Sequence, residues 1–122
     1  MLVLTYVLAA LVAAEFLFIM YIETFATSSD LTAKTFGMDR GELERPSVDM
    51  LFKNQGVYNG LLAVLVVVAL VARSLPALAC LMGYVVLVAA YGAASTRNLQ
   101  IFFKQAGVAV LCLVACLVTM AL

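Results

Sequence analysis

Four long apolar segments constrain this chain more than any other feature of its sequence. They cover about residues 2–22, 51–72, 75–94 and 99–121. Each is close to the roughly 20 helical residues that cross a hydrocarbon core about 30 Å thick. The apolar runs are continuous rather than alternating, which favours helices over the strands of a membrane barrel. The sequence therefore predicts an all-α integral membrane protein.

The connections between these segments predict an up-down-up-down four-helix bundle. Only Arg73 and Ser74 separate the second and third segments, which must therefore be antiparallel neighbours. Residues 95–98 form a second short link. The first loop, residues 23–50, is the only long polar stretch, and its Ser28-Ser29-Asp30 sequence predicts the start of a short capped helix at the membrane interface.

Composition indicates one domain, residues 1–122, with the lipid bilayer as its main partner. The chain is 66% hydrophobic and only 11% charged, and a soluble domain of this size could not bury so much apolar surface. Its net charge is zero and it has no basic run, so no nucleic-acid partner is expected. It has no His, no zinc or phosphate motif and no nucleophile–base arrangement, so we expect no metal, cofactor or catalytic residues.

The distribution of basic residues predicts the orientation of the chain. Six of the seven lie on the side of the first and third loops, and only Arg73 lies on the opposite side. Because cytoplasmic loops carry the excess of Lys and Arg, both termini are expected outside the cell. The predicted location is the inner, plasma membrane, with the first and third loops in the cytoplasm.

A cluster of polar residues interrupts the second apolar segment near its start and predicts a site inside the membrane. Glu15, the only acid within a predicted span, lies eight residues before Glu23, and Asn59 lies eight residues after Leu51. At 1.5 Å per residue, Glu15 and Asn59 lie about 12 Å deep from the same side. We therefore expect Asn59 or Gln55 to hydrogen-bond Glu15, with protonation as the other way to lower the cost of a buried carboxylate.

The candidate pocket residues share a position in the cytoplasmic half of the predicted bundle. Glu23 is expected to be a solvated residue at the end of its span, although its spacing from Glu15 keeps it near the same helix face. Gly56 and Gly60 predict a close helix–helix contact. The alternative for all these polar groups is a set of interhelical hydrogen bonds that set helix register. The pocket candidates are Glu15, Glu23, Gln55, Tyr58, Asn59, Tyr91, Lys104 and Gln105.

The three cysteines leave several alternatives open. Cys112 and Cys116 are four residues apart on one helix face, which suits a soft metal but supplies only two ligands. Cys80 and Cys116 lie at similar depth and could form a disulfide. Buried thiols that act as small apolar side chains are the third alternative.

Several short sequences give this chain a resemblance to a known family. They are Glu15 with Ile19-Met20-Tyr21-Ile22-Glu23, the string Asn54-Gln55-Gly56-Val57-Tyr58-Asn59-Gly60, and Tyr91-Gly92-Ala93. Together they resemble domain-of-unknown-function family 1304, whose members are small bacterial membrane proteins with four spans. The resemblance covers nearly the whole chain and implies the four-span fold. It implies no molecular function.

Three functional hypotheses follow from the sequence. The first is the binding or transport of a small polar or amphipathic molecule at a polar site around Glu15 and Asn59. The second is an accessory or structural subunit of a larger membrane complex. The partners expected in this case are other membrane proteins or further copies of the same chain. The third is a membrane enzyme that acts on a lipid or isoprenoid, with Glu15 and Tyr58 or Tyr91 as acid and base.

Overall fold

The computed structural model describes residues 1–97 and 99–122, except for the side chain of residue 101. This part of the chain is helical and contains no strand, so the predicted all-α class is confirmed. In order, it forms α1 (Leu2–Met20), a π-helical turn (Tyr21–Phe25), α2 (Asp30–Phe36), α3 (Arg40–Leu43), α4 (Pro46–Val71), α5 (Leu75–Thr96) and α6 (Leu99–Ala121).

Four helical segments are long and apolar enough to span a membrane. They are Leu2–Phe25, Pro46–Val71, Leu75–Thr96 and Phe102–Ala121. Only 28–33% of the residues in each apolar window are buried within the chain, so most of their side chains face outwards. A surface of exposed Leu, Val and Phe of this extent is compatible with lipid as the surrounding solvent. The chain is a multi-pass membrane protein in contact with the bilayer.

The chain divides into two compact units. Unit 1 consists of residues 1–13 and 65–122, and unit 2 consists of residues 14–64. Helices α1 and α4 are each divided between the two units, with one part of the helix in unit 1 and the other part in unit 2. Each unit has its own buried side chains.

Unit 1 is built around small side chains that recur at helical spacing. On α6, the buried residues include Ala109, Cys112 and Cys116, and α5 packs against this helix. Small residues let helix backbones approach closely in lipid, where packing replaces the hydrophobic effect. Thr5 of α1 shares a 3.0 Å hydrogen bond with Thr119 of α6, and the Cys112 thiol donates to the carbonyl oxygen of Thr5 at 3.8 Å.

The three cysteines of unit 1 are free thiols. Cys112 and Cys116 are fully buried among the small side chains of α6, whereas Cys80 is exposed. The disulfide that would join Cys80 to Cys116 is therefore not formed. Buried thiols that act as small apolar side chains are the alternative that agrees with the structure for Cys112 and Cys116.

The helix ends of unit 1 follow the local sequence. Ser74 caps α5 by accepting a 3.2 Å hydrogen bond from the backbone N–H of Ala77, and Pro76 lies in the first turn, where proline is favoured. Helix α5 ends at Thr96, and Arg97 adopts the left-handed conformation with φ 55°. Asn98, the last residue of the predicted second link, lies outside the described residues.

Unit 2 pairs the end of the first span with the start of α4 in an antiparallel register. The side chain of Met20 lies against Gly60, and that of Thr24 lies against Gly56, four residues earlier on α4. The Thr24 hydroxyl also donates to the carbonyl oxygen of Lys53 at 3.3 Å. Both glycines are buried at these contacts, where the absence of a Cβ leaves room for the facing side chain.

The short helix predicted in the first loop is present as α2. Ser29 is its N-cap and accepts a 3.2 Å hydrogen bond from the backbone N–H of Thr32, and Gly37, with φ 65°, ends the helix. The hydroxyl of Thr32 donates to the carbonyl oxygens of Ile22 at 2.9 Å and Ala26 at 2.6 Å. This buried hydroxyl holds α2 against the π-helical turn.

We expect Thr32→Val to lower the free energy of unfolding by about 1–2 kcal/mol, because it removes the donor to two carbonyl groups without changing the volume of the side chain. Thr35→Val is the matched control, since the Thr35 hydroxyl donates only to Leu31 of its own helix. Denaturation by sodium dodecyl sulfate in mixed micelles measures both. Equal effects of the two substitutions would show that Thr32 does not anchor α2.

Candidate functional site

Glu23 is completely buried although it lies near the end of its span. Its side chain has 0% exposure, and its neighbour Ile22 is also fully buried. The expectation that Glu23 is a solvated end residue is therefore wrong. The physical reason is that the first span does not end at residue 22 as predicted, since a π-helical turn extends it to Phe25. Glu23 thus belongs to the apolar segment rather than to the loop.

Asn59 of α4 is the hydrogen-bond partner of Glu23. Its Nδ2 atom donates to Glu23 Oε1 at 2.5 Å. The expected bond from Asn59 to Glu15 is therefore wrong. Helix α4 begins at Pro46, five residues before the predicted start, and the first span extends three residues past its predicted end at residue 22. Residues at equal distances from the predicted ends therefore do not lie at equal depth.

One oxygen atom of each intramembrane acid lacks a hydrogen-bond partner. Oε2 of Glu23 and Oε1 of Glu15 are both buried and accept no hydrogen bond from the described residues. Residues 2–33 contain no Lys or Arg, and neither do residues 54–72. Glu23 therefore has a neutral amide as its hydrogen-bond partner, and Lys53, the basic residue of the α4 span, is ion-paired with Asp49 at 2.7 Å instead. A carboxylate in this position is unsatisfied both in charge and in hydrogen bonds.

The π-helical turn gives the site its local geometry, and the sequence analysis did not predict it. The backbone N–H of Ala26 bonds to the carbonyl oxygen of Tyr21 at 3.2 Å, five residues back. Single π-helical turns are often found at functional sites, because the extra residue changes the direction of neighbouring side chains. The sequence signal that marks this turn is the series of Thr and Ser residues that follows Glu23. One of them, Thr27, donates to the Glu23 carbonyl oxygen at 2.6 Å.

A cavity of about 320 Å³ lies where the π-helical turn leads into the first loop. Its lining is mainly polar and consists of Phe25, Ala26, Thr27, Ser28, Ser29, Arg40, Asp49 and Lys53. The charged groups are locally paired, with Lys53 Nζ at 2.7 Å from Asp49 and Arg40 at 3.2 Å from Asp30. The volume is within the usual range for small-molecule sites. Thr27 connects this cavity to the backbone of Glu23.

The other pocket candidates are either exposed or belong to unit 1. Gln55 is exposed, and Tyr58 has 76% of its surface exposed. Tyr91, Lys104 and Gln105 belong to unit 1, where Tyr91 is 77% exposed, Lys104 is exposed and Gln105 is half-buried. Their roles in a pocket remain predictions.

We expect Asn59→Leu to lower the free energy of unfolding by about 1–2 kcal/mol. Leucine has a similar volume but cannot donate a hydrogen bond, so the Glu23 carboxyl would lose its partner while remaining buried. Asn54→Leu is the matched control, because Asn54 is an exposed residue on the same helix. Thermal unfolding in detergent measures both variants. A larger loss for Asn54→Leu than for Asn59→Leu would contradict the importance of the Glu23–Asn59 bond.

Comparison with known proteins identifies the family. The family model described as "Protein of unknown function (DUF1304)" matches residues 10–117. The chain belongs to the DUF1304 family. It is also 48% identical to "Uncharacterized protein YpaA" of Lactococcus lactis subsp. lactis (strain IL1403) over 117 residues, which cover 94% of this chain and 98% of that protein. No solved structure matches the chain.

The family assignment confirms the resemblance seen in the sequence, including the four-span membrane character. The matched range contains Glu15, Glu23, Asn59 and the two buried glycines of α4. Neither the family description nor the name of the relative states a ligand, a reaction or a partner.

Proposed function

We propose that this DUF1304 protein binds a small polar or amphipathic molecule at Glu23 and Asn59 and carries it across the membrane. The observation that supports this most directly is the buried Glu23 side chain, which has one oxygen bonded to a neutral amide and the other without a partner. An ionised carboxylate inside a membrane costs at least about 3 kcal/mol on insertion scales. A purely structural role would be served by a neutral side chain at lower cost.

The cavity beside the π-helical turn supports a route to this site. Its hydroxyl and charged lining suits a polar headgroup, and exposed Phe25 at its edge suits an apolar part of the same molecule. A molecule that occupied the cavity would lie next to Thr27, whose hydroxyl is bonded to the Glu23 backbone. In this proposal the cavity opens to the cytoplasm, in agreement with the basic residues of the first loop.

Glu15 is the second acidic position on the proposed path. It lies eight residues before Glu23 on the same span and has one buried, unpartnered oxygen. At 1.5 Å per residue the two positions are about 12 Å apart along the helix axis. A molecule released from Glu23 towards the other side of the membrane would meet Glu15 next. We therefore assign Glu23 the main binding role and Glu15 a subsequent one.

Native mass spectrometry of protein purified from its own membrane in mild detergent tests this proposal. We expect wild-type protein to retain a small molecule that Glu23→Gln loses. Glu42→Gln is the matched control, because Glu42 is an exposed acid of the first loop whose ion pair with Arg45 lies outside the cavity lining, and it should retain the molecule. The absence of any retained molecule from wild-type protein, or equal amounts in all three proteins, contradicts the proposal.

One observation favours the accessory-subunit hypothesis as a second candidate. Asn54, Gln55 and Tyr58 are exposed on α4 although this helix is apolar enough to span the membrane. Amide groups at a lipid-facing surface can bind another helix. If this function is correct, the protein should co-purify with other chains in fixed proportion, and Asn54→Leu with Gln55→Leu should release them. Purification of wild-type protein without any other chain contradicts it.

A further inference from the structure

The electrostatic character of the Glu23 site narrows the class of molecule that it can bind. The first span carries two acidic residues and no basic residue, and the second span is uncharged from Asn54 to Ala72. A buried carboxylate without a cationic partner must either hold a proton or meet a positively charged ligand. An anionic ligand would add repulsion to the existing cost of burial.

The described residues place Glu23 in no group of three or more Asp, Glu, His or Cys side chains that could hold a metal ion. The hydroxyl of Thr27 donates to the carbonyl oxygen of Glu23, that of Thr32 to two other carbonyl oxygens, and that of Thr24 to Lys53. Hard divalent ions need about six or more oxygen ligands. One free carboxylate oxygen beside apolar Ile22 instead suits an ammonium group, which requires an opposite charge but no fixed coordination geometry.

We infer that the ligand of this site is a monovalent organic cation with an ammonium headgroup, and that it exchanges with a proton on Glu23. This inference rests on the function proposed above. When the cation binds, the O–H bond of the Glu23 carboxyl breaks, its electron pair stays on the carboxylate and the proton leaves to water. The charge of the site is the same before and after the exchange, so the membrane interior never holds an unpaired charge.

The other charged groups on the helices that contact the π-helical turn are either ion-paired or exposed. On α4, Lys53 is ion-paired with Asp49 at 2.7 Å. On α2, Asp30 and Lys34 are exposed. Glu15 lies on α1, about two helical turns further along the span. Glu23 is therefore the only described acid at the turn that is fully buried and bonded to Asn59, and it is the group we expect to release the proton.

Movement of one side chain gives a ligand access to Glu23. Because Glu23 has no exposed surface, a neighbour must move before a cation reaches Oε2. Met20, one turn earlier, rests against Gly60 beside Asn59. Its unbranched side chain has three rotatable bonds and adapts readily to a new environment. Rotation of Met20 would open the space in front of Gly60 while the helix backbones stay in place.

Calorimetry with a charged probe and its neutral isostere tests the inference. The probes are choline, which has a permanent positive charge, and 3,3-dimethyl-1-butanol, which has the same shape without the charge. We expect choline to bind purified wild-type protein at least about tenfold more tightly than the alcohol, since only choline neutralises the carboxylate. Titration in two buffers with different ionisation enthalpies counts released protons, and about one proton per bound choline is expected at mildly acidic pH.

The possible outcomes distinguish failure of the cation inference from failure of the proposed function. Glu23→Gln should abolish choline binding and proton release, whereas Glu42→Gln should leave both unchanged. If the alcohol binds as tightly as choline, without proton release but still dependent on Glu23, the cation inference is wrong and the proposed function stands. If neither probe binds, the charge of the molecule that co-purifies with wild-type protein tests the inference. A cationic molecule supports the inference, and a neutral or anionic one overturns it. Absence of both probe binding and a co-purifying molecule contradicts both.

Discussion

Glu23→Gln is expected to abolish ligand binding while the protein remains at least as stable as wild type. The glutamine Oε1 can still accept the hydrogen bond from Asn59, so the contact between the π-helical turn and α4 is retained. The substitution removes the cost of keeping a carboxylate, or the proton that neutralises it, inside an apolar span. We expect an unchanged or higher thermal midpoint and a loss of affinity of at least about a hundredfold, because the counter-charge is gone.

The combination of these two effects separates a binding role from a structural one. Residues whose only role is structural lose stability when they are replaced, whereas residues at binding sites often gain it. Glu15→Gln provides an internal comparison, and we expect it to weaken binding less than Glu23→Gln. A marked fall in the thermal midpoint of Glu23→Gln, together with unchanged binding, would show that Glu23 serves only to hold the helices together.

Gly56→Ala is expected to lower the free energy of unfolding by about 1–3 kcal/mol, the usual cost of overpacking. A Cβ at this position would overlap the hydroxyl of Thr24 and lie 3.1 Å from the Cβ atoms of both Thr24 and Glu23. Rotation of Thr24 relieves the first overlap at the cost of its bond to Lys53, but atoms so close to the backbone cannot move alone. The π-helical turn must therefore shift away from α4, which lengthens the Glu23–Asn59 bond and weakens ligand binding.

Gly60→Ala is the matched control for this effect. A Cβ at Gly60 would overlap the sulfur of Met20, which is the far end of a flexible side chain. Rotation of Met20 accommodates the new methyl group, and the higher helix propensity of alanine offsets the lost contact by about 1 kcal/mol. We expect a change of less than about 1 kcal/mol in unfolding experiments in mixed micelles. A larger loss for Gly60→Ala than for Gly56→Ala would contradict the contacts described for unit 2.

The sequence was sufficient to predict the helical architecture because membrane spans are determined by simple rules of length and polarity. The short link at Arg73-Ser74, Pro76 in the first turn of α5 and the Ser29 cap of α2 all depend on local chemistry that a sequence displays directly. The division of contacts into two units is different, because it depends on which side chains meet in space.

The site was predicted only in part, and the reason lies in helix register. The sequence pointed to Asn59 as a partner for an intramembrane acid, and the structure supplies Glu23 in place of Glu15. The choice depended on where two helices begin and end, and helix ends are poorly marked when a π-helical turn extends one of them. The buried hydroxyl of Thr32 was also not predicted, because its two acceptors are ten and six residues away.

Infrared spectroscopy of the Glu23 carboxyl tests whether Glu23 and Asn59 form a buried binding site, since the C=O band of the carboxyl reports both hydrogen bonding and burial. At a pH low enough to protonate the group, we expect a carboxyl band that is absent from Glu23→Gln, that shifts to higher frequency in Asn59→Leu and that exchanges slowly in deuterated water. Addition of choline should convert this band into that of a carboxylate in wild-type protein. A Glu23 band that exchanges rapidly, is unaffected by Asn59→Leu and does not respond to choline would contradict a buried Glu23–Asn59 site.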